Sequence, residues 1–169
     1  IDNQIRDGIT ALSDYHMTSH NLHTARVKKL GEDESRIWTV GEPNLNLLAL
    51  KIKKQDNEPI GHYEKGEKFI LCCFHPSTQD NITIEKQCEE IEKIISAIDI
   101  KVLVTSANGD RGGRMINETK MRLSNVDSKK IRFEETLGKD YYSYLKACYC
   151  VLGNSSSGIL EASLVNLPV

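Results

Sequence analysis

From Lys68 onward the sequence alternates two kinds of apolar pattern, and this narrows the fold more than any other feature. Residues 69–74 form a continuous apolar run of the length expected for a buried parallel strand. Ile84, Cys88, Ile91, Ile95 and Ile98 then recur at spacings of four, three, four and three, one face of a long helix. The pattern repeats with a strand at 102–105, a helix at 115–123, a strand at 131–133, a helix at 141–147 and a strand at 149–152. A chain that alternates in this way folds as α/β, a doubly wound parallel sheet of the Rossmann-like kind, covered on both faces.

The first third is less regular. Apolar residues at 1, 5, 9 and 12 predict a helix over 1–14, followed by a short strand at 15–18. A helix over 21–30 is closed by Gly31, and a strand at 36–40 is closed by Gly41-Glu42-Pro43. Residues 45–52 read as a helix and 53–66 as a polar loop.

In a doubly wound sheet every loop that follows a strand emerges at one edge, where ligands bind. Those loops are 75–78, 106–113, 134–138 and 154–158. Residues remote in the chain are therefore expected to be neighbours: His75, Asn108, Thr136, Ser155, Ser156 and Glu161. Together they offer an imidazole, an amide, three hydroxyls and a carboxylate, a set suited to a phosphorylated, hydroxyl-rich ligand.

The richest of these corners is Gly153-Asn-Ser-Ser-Ser-Gly158, which leads into a helix-like segment. Backbone N–H groups and hydroxyls on the positive end of a new helix suit a phosphate. Glu161, on the first turn of that helix, is placed to accept hydrogen bonds from sugar hydroxyls beside it. The competing reading is an ordinary strand–turn–helix corner built from small residues.

His75 directly follows a buried strand and precedes a proline. An imidazole there protonates a leaving phosphate oxygen or holds it as a cation, unless it is simply a loop histidine. His16, His20, His23 and His62 lack such placement and read as structural or solvated. Asp2 and Arg6 share a helix face at i and i+4, either a surface ion pair of little consequence or an acid–base group with its partner. Asn108 lies in a Gly-rich loop with Asp110, Arg111 and Arg114, which has no nucleotide-binding glycine fingerprint. Glu85 to Lys93 reads as the solvated face of its helix, and Tyr141, Tyr142 and Tyr144 as cover for the sheet.

Composition sets outer limits. The net charge of −2 provides no field for nucleic acid or an anionic membrane, and no apolar run reaches the length of a spanning helix. Five cysteines without a C-x-x-C pair argue for free thiols, a reduced chain and a cytoplasmic location. The three Asn-x-Ser/Thr sequons at 81, 117 and 154 are discounted on that basis. No cluster has metal-ligand spacing, so neither a metal nor a cofactor is expected. The chain starts in mid-helix and stops at Pro168-Val169, where a strand is due, so a piece of a longer protein is expected.

Taken together, the segments DNQIRDGITALSDYH (2–16), VGEP (40–43), HPST (75–78), ANGDRGGRMIN (107–117) and GNSSSGILEA (153–162) resemble the UDP-N-acetylglucosamine 2-epimerases. The likeness is specifically to the hydrolysing branch used in making sialic-acid-type sugars. It implies part of a two-domain fold of the glycosyltransferase-B type, with residues 1–41 ending the first Rossmann-like domain. Residues 42–169 would then be a second, UDP-binding domain, incomplete at its C-terminal end. The family reaction removes the proton at sugar C2 and expels UDP to leave 2-acetamidoglucal, and water then adds to give N-acetylmannosamine.

Carried over motif by motif, the resemblance makes Asp2 an active-site acid with Arg6 beside it, and His75 the histidine near the diphosphate. Asn108, Ser155, Ser156 and Glu161 fall on UDP contacts, with the serines at phosphate and Glu161 at the ribose. Thr136 or Leu137 falls beside the uracil. Asp7 stands where this branch usually has histidine, and Ala162-Ser-Leu replaces the usual Ala-Pro-Ser. The implied partners are a UDP-sugar and a second copy in a homo-oligomer, with no nucleic acid and no membrane. The alternatives are a non-hydrolysing or diacetamido-sugar epimerase, a glycosyltransferase and a UDP-binding module without catalysis.

Overall fold

Alternation of apolar positions along the strands decides where each residue goes. A computed structural model describes residues 2–54, 61, 63, 64, 66–77 and 81–169, with the backbone alone at 2 and 51–54. The chain packs as two compact units, residues 1–50 and 51–169.

The first unit holds helix α1 (Asp2–Leu12), strand β1 (His16–Thr18), helix α2 (Asn21–Lys29), strand β2 (Ile37–Thr39) and most of helix α3 (Pro43–Lys54). β1 and β2 pair in parallel, His16 opposite Ile37 and Thr18 opposite Thr39. Period two puts His16 and Thr18 inside and Met17 outside. α2 begins on His20, whose ring accepts the Leu22 N–H, and ends at Gly31, whose φ of +97° is the left-handed turn a C-terminal glycine supplies. α3 starts at Pro43, earlier than the apolar run suggests, because proline is at ease in the first turn of a helix.

The second unit holds strand β3 (Phe69–Cys73), helix α4 (Ile84–Ala97), strand β4 (Lys101–Thr105), helix α5 (Gly113–Val126), strand β5 (Ile131–Glu134), helix α6 (Tyr141–Ala147) and strand β6 (Cys150–Gly153). The sheet is wholly parallel, in the order β5-β4-β3-β6. One face buries Phe69, Leu71, Cys73, Leu103 and Val151 with Tyr144 and Leu145 of α6. The other buries Cys72, Val102, Val104 and Ile131 with Cys88, Ile91 and Ile95 of α4 and Ile116 and Leu123 of α5. Each fully buried aliphatic side chain among these contributes about 1.5–3 kcal/mol, which fixes the register on both faces.

Connections from β3 run outward to β4 and β5 on one side, then return to β6 on the other. The strand order therefore reverses between β3 and β6. The crevice in an open parallel sheet lies at that position, outside the carboxyl ends of the strands.

One expected element differs. The segment after Gly158 does not form a regular helix but two tight 3-10 turns, Ser156–Gly158 and Ala162–Val165. Serine hydroxyls compete with the backbone here: Ser155 Oγ accepts the Ser157 N–H, and Ser163 Oγ donates to Leu160 O. Asn166 then turns left-handed at φ 52° and stops the segment. Without a long helix there is no strong dipole for a phosphate, and the corner must rely on its side chains and turn N–H groups.

Candidate functional site

At the reversal point the sheet is prolonged by a side chain. Asn154 follows β6, and its Oδ1 accepts the His75 N–H at 2.8 Å while its Nδ2 donates to His75 O at 2.9 Å. The amide thus continues the β3–β6 ladder by one rung beyond the Cys73–Gly153 pair. Gly153 makes this possible, since its φ is +147° and a Cβ there would lie 2.0 Å from Cys73 O. Asn154 was absent from the residues singled out in the sequence, although it sits in the quoted GNSSSG motif.

The His75 ring is fixed from the neighbouring loop. The Asn108 backbone N–H donates to its Nδ1 at 3.0 Å. A neutral ring held this way carries its proton on Nε2 and presents an N–H donor. Burial pushes the imidazole below its ordinary range, the Lys120 ammonium pushes the same way, and Asp110 opposes both. The lowered range favours the neutral ring, which presents Nε2–H as its donor.

His75, Thr136 and Ser155 line one cavity of about 380 Å³, with Cys73, Thr105, Ser106, Leu137, Tyr141, Tyr142 and Ser157 among its other walls. The imidazole and the triple-serine corner are thus on the same edge of the sheet. Ser156 is exposed and is not part of this wall, where Ser157 stands instead, its Oγ donating to Ser155 Oγ at 3.1 Å. The tight turn rotates the middle serine outward, a detail that spacing alone does not reveal.

Asn108 behaves differently from expectation. Its backbone reaches His75, but its side-chain amide donates to Asp110 Oδ2 at 2.7 Å, and the residue lines a separate cavity with Gly109, Asp110, Arg114 and Asn117. Asn117, also missed in the sequence, shapes this loop: its Oδ1 accepts the Ala107 N–H at 2.7 Å and its Nδ2 donates to Ser106 Oγ at 2.8 Å. Gln87 of α4 does the same for the loop after β3, pairing with the N–H and the carbonyl of Ser77. Thr78 falls outside the described residues.

Glu161 is not on the cavity wall, yet its Oε2 is buried with no hydrogen-bond partner. It stands near the wall residue Tyr141, whose phenol burial pushes up to about 12, Glu161 adding to the rise. A buried carboxylate oxygen without a donor is suited to receiving hydroxyl donors from a ligand. Thr136 is exposed and caps its own turn, accepting the Gly138 N–H.

In the first unit, Arg6 is exposed on α1. Asp2 begins that helix, and its side chain falls outside the described residues. Asp7, at the position where the resemblance expects histidine, holds Arg26 Nη2 with both oxygens, at 2.9 and 3.1 Å. His16 is buried against Glu32 at 3.0 Å, and His20 and His23 serve the local turn, so all three are structural. His62 falls outside the described residues. All five cysteines are free. Among the described residues no helix is long and apolar enough to cross a membrane, and no group of His, Cys, Asp and Glu is arranged to hold a metal ion.

A parallel α/β sheet with strand-end residues gathered around a cavity at the reversal point defines an α/β protein of the doubly wound class. The whole chain, residues 1–169, matches the family described as UDP-N-acetylglucosamine 2-epimerase, and it belongs to that family. It is 30% identical to the GDP/UDP-N,N'-diacetylbacillosamine 2-epimerase (hydrolyzing) of Campylobacter jejuni, covering 99% of this chain and 45% of that protein. It is also 30% identical to the UDP-N,N'-diacetylbacillosamine 2-epimerase (hydrolyzing) of Legionella pneumophila, covering 100% and 45%. Identity to the UDP-N-acetylglucosamine 2-epimerase of Neisseria meningitidis is 25%, over 99% and 44%. The chain thus spans about 45% of the length of these curated relatives.

Its fold matches the crystal structure of the UDP-GlcNAc 2-epimerase of Methanocaldococcus jannaschii in complex with UDP-GlcNAc and UDP, with a TM-score of 0.64 at 20% identity, over 94% of this chain and 45% of that one. A putative UDP-N-acetylglucosamine 2-epimerase from Listeria monocytogenes gives the same TM-score at 19% identity, over 95% and 42%. The chain is part of the glycosyltransferase-B-type fold of these proteins.

Proposed function

We propose that this chain is the UDP-holding part of a hydrolysing 2-epimerase acting on a UDP-linked 2-acetamido sugar. The observation that carries the reading is the cavity at the reversal point, where the ring of His75 and the hydroxyls of Ser155 and Ser157 share one wall. Membership of the 2-epimerase family supports this reading, and the reaction we assign is that UDP-N-acetylglucosamine loses the C2 proton and UDP to leave 2-acetamidoglucal, after which water adds to give N-acetylmannosamine.

The chain's own residues have distinct tasks in that reaction. Departure of UDP places new negative charge on a phosphate oxygen, and fixed donors aimed at it lower the barrier. His75, held with Nδ1 occupied by Asn108 N–H, offers Nε2–H to that oxygen, and Ser155, which accepts the Ser157 hydroxyl, adds its own O–H as a donor. Glu161 takes the ribose hydroxyls on its unpaired Oε2. Asp2, accompanied by Arg6, is the acid or base of proton transfer. The protein works in the cytoplasm, without a metal or cofactor, as a homo-oligomer.

A second reading changes only the sugar. The two relatives at 30% identity are both named as hydrolysing diacetylbacillosamine 2-epimerases, which favours a UDP-linked diacetamido sugar. The test supplies the full-length protein with UDP-N-acetylglucosamine and, separately, UDP-N,N'-diacetylbacillosamine, and follows products by NMR. Free UDP with N-acetylmannosamine is the expected result, and turnover of the second substrate alone selects the diacetamido reading. Intact UDP-N-acetylmannosamine moves the assignment to the non-hydrolysing reaction. UDP binding without turnover of either sugar leaves a nucleotide-binding module.

A further inference from the structure

Beneath the rim, α5 carries Lys120, a lysine with 0% of its surface exposed. Its Nζ donates to Phe74 O at 2.7 Å and to Thr105 O at 2.8 Å. Phe74 directly precedes His75, and Thr105 is the last residue of β4, directly before Ser106. One ammonium thus joins the two chain segments from which the imidazole and its Asn108 latch depart. Among the described residues Lys120 forms no ion pair. The titratable groups that face it are the thiols of Cys72 and Cys73 on β3 and Cys88 on α4, together with His75.

The two thiols on β3 bring no compensating charge at neutral pH: burial pushes Cys72 up to about 12 and Cys73 upward as well. An ammonium surrounded by carbonyls and thiols is a costly occupant of a site where a methionine would fill the space. Burial weakens solvent screening of this charge, and the same burial pushes the ammonium below its ordinary range.

We propose that Lys120 is the positioning residue of this site: it ties the exits of β3 and β4 together and places a buried positive charge next to the His75 loop, where it acts on the imidazole and draws a diphosphate to the rim. The part concerning the diphosphate rests on the UDP reading above, whereas the part concerning His75 does not. The field at His75 comes from Lys120 and, with opposite sign, from Asp110 in the following loop. Nothing in the sequence marks this lysine, which sits in a polar helix among Glu118, Thr119 and Arg122.

The test uses the isotope-labelled chain and the variants K120M and K120R. In folded K120M the His75 titration midpoint rises and UDP binds roughly tenfold more weakly, the effect of losing one nearby charge of modest strength. K120R, which keeps charge and donors, restores most of both. Folded K120M with an unchanged His75 midpoint and unchanged UDP affinity overturns the proposal.

Should K120M fail to fold, the ligand-free wild type decides. The Lys120 Nζ resonance must move as His75 is titrated, and an Nζ signal blind to that titration overturns the assignment. Wild-type chain that fails to bind UDP refutes the nucleotide reading, while the His75 titration still decides the role of Lys120.

Discussion

Replacing Asn154 by alanine removes the rung that ties β6 to the residue after β3. Two hydrogen bonds are lost, at 2.8 and 2.9 Å, each contributing about 0.5–1.5 kcal/mol net. Asn154 is exposed, so water reaches both abandoned His75 groups, and the expected loss is in the lower half of the sum, about 1–1.5 kcal/mol. For a chain of this size that corresponds to ~2–6 °C in Tm. If the loss is local, the His75 amide should exchange with solvent roughly 5- to 13-fold faster, the same free energy expressed as an opening equilibrium.

The measurement is amide exchange by NMR on N154A, together with urea unfolding read from resonances of the second unit. Trp38, the only tryptophan, belongs to the first unit, so its fluorescence follows that unit separately. N154D should be worse for UDP than N154A, because it loses the donor to His75 O and adds a negative charge at the phosphate rim. Unchanged His75 exchange in N154A would refute the claim that the amide extends the sheet.

Three further outcomes follow from the geometry. G153A forces a side chain against Cys73 O and leaves a residue with a Cβ at φ +147°, so it should lower stability by ~2–4 kcal/mol in urea unfolding. His75 has a folded pKa below its unfolded value of about 6.5, so the unfolded state takes up the proton first. Stability should therefore fall as pH drops from about 6.5 through the lowered folded value; H75N, which retains an acceptor for Asn108 N–H, should flatten that slope and reduce UDP release roughly 10²–10⁴-fold in the full-length enzyme. E161Q should weaken UDP about 10- to 100-fold by calorimetry, while leaving the ligand-free protein as stable as wild type or more so, because the buried Oε2 has no donor to lose.

Apart from the helix expected after Gly158, the strands and helices of the second unit were legible in the sequence because burial on both faces of a parallel sheet imposes simple periods. The helix from Tyr141 to Ala147 and the isoleucine face of α4 follow directly from spacing. Convergence of His75, Thr136 and Ser155 was legible for a topological reason, since all strands run the same way. What was hidden depends on side-chain direction. Asn154 reaches a backbone 79 residues away, and no local pattern signals that. Whether Ser156 or Ser157 faces inward is decided by the pitch of one tight turn. Lys120 looks like any solvated helix lysine until the ends of β3 and β4 are placed over it. Asn117 was quoted within a motif, but its task of clamping Ser106 and Ala107 is visible only in three dimensions.

The latch between Asn108 and His75 has a consequence for acidic conditions. A ring that accepts a proton at Nδ1 must release the N–H already seated there, so charging the imidazole also unfastens the strand-end loop that begins at Ser106. Acidification thus acts as a release catch, exchanging an aligned donor for a charged but unanchored one. Such a rim keeps its shape only on the alkaline side of that exchange.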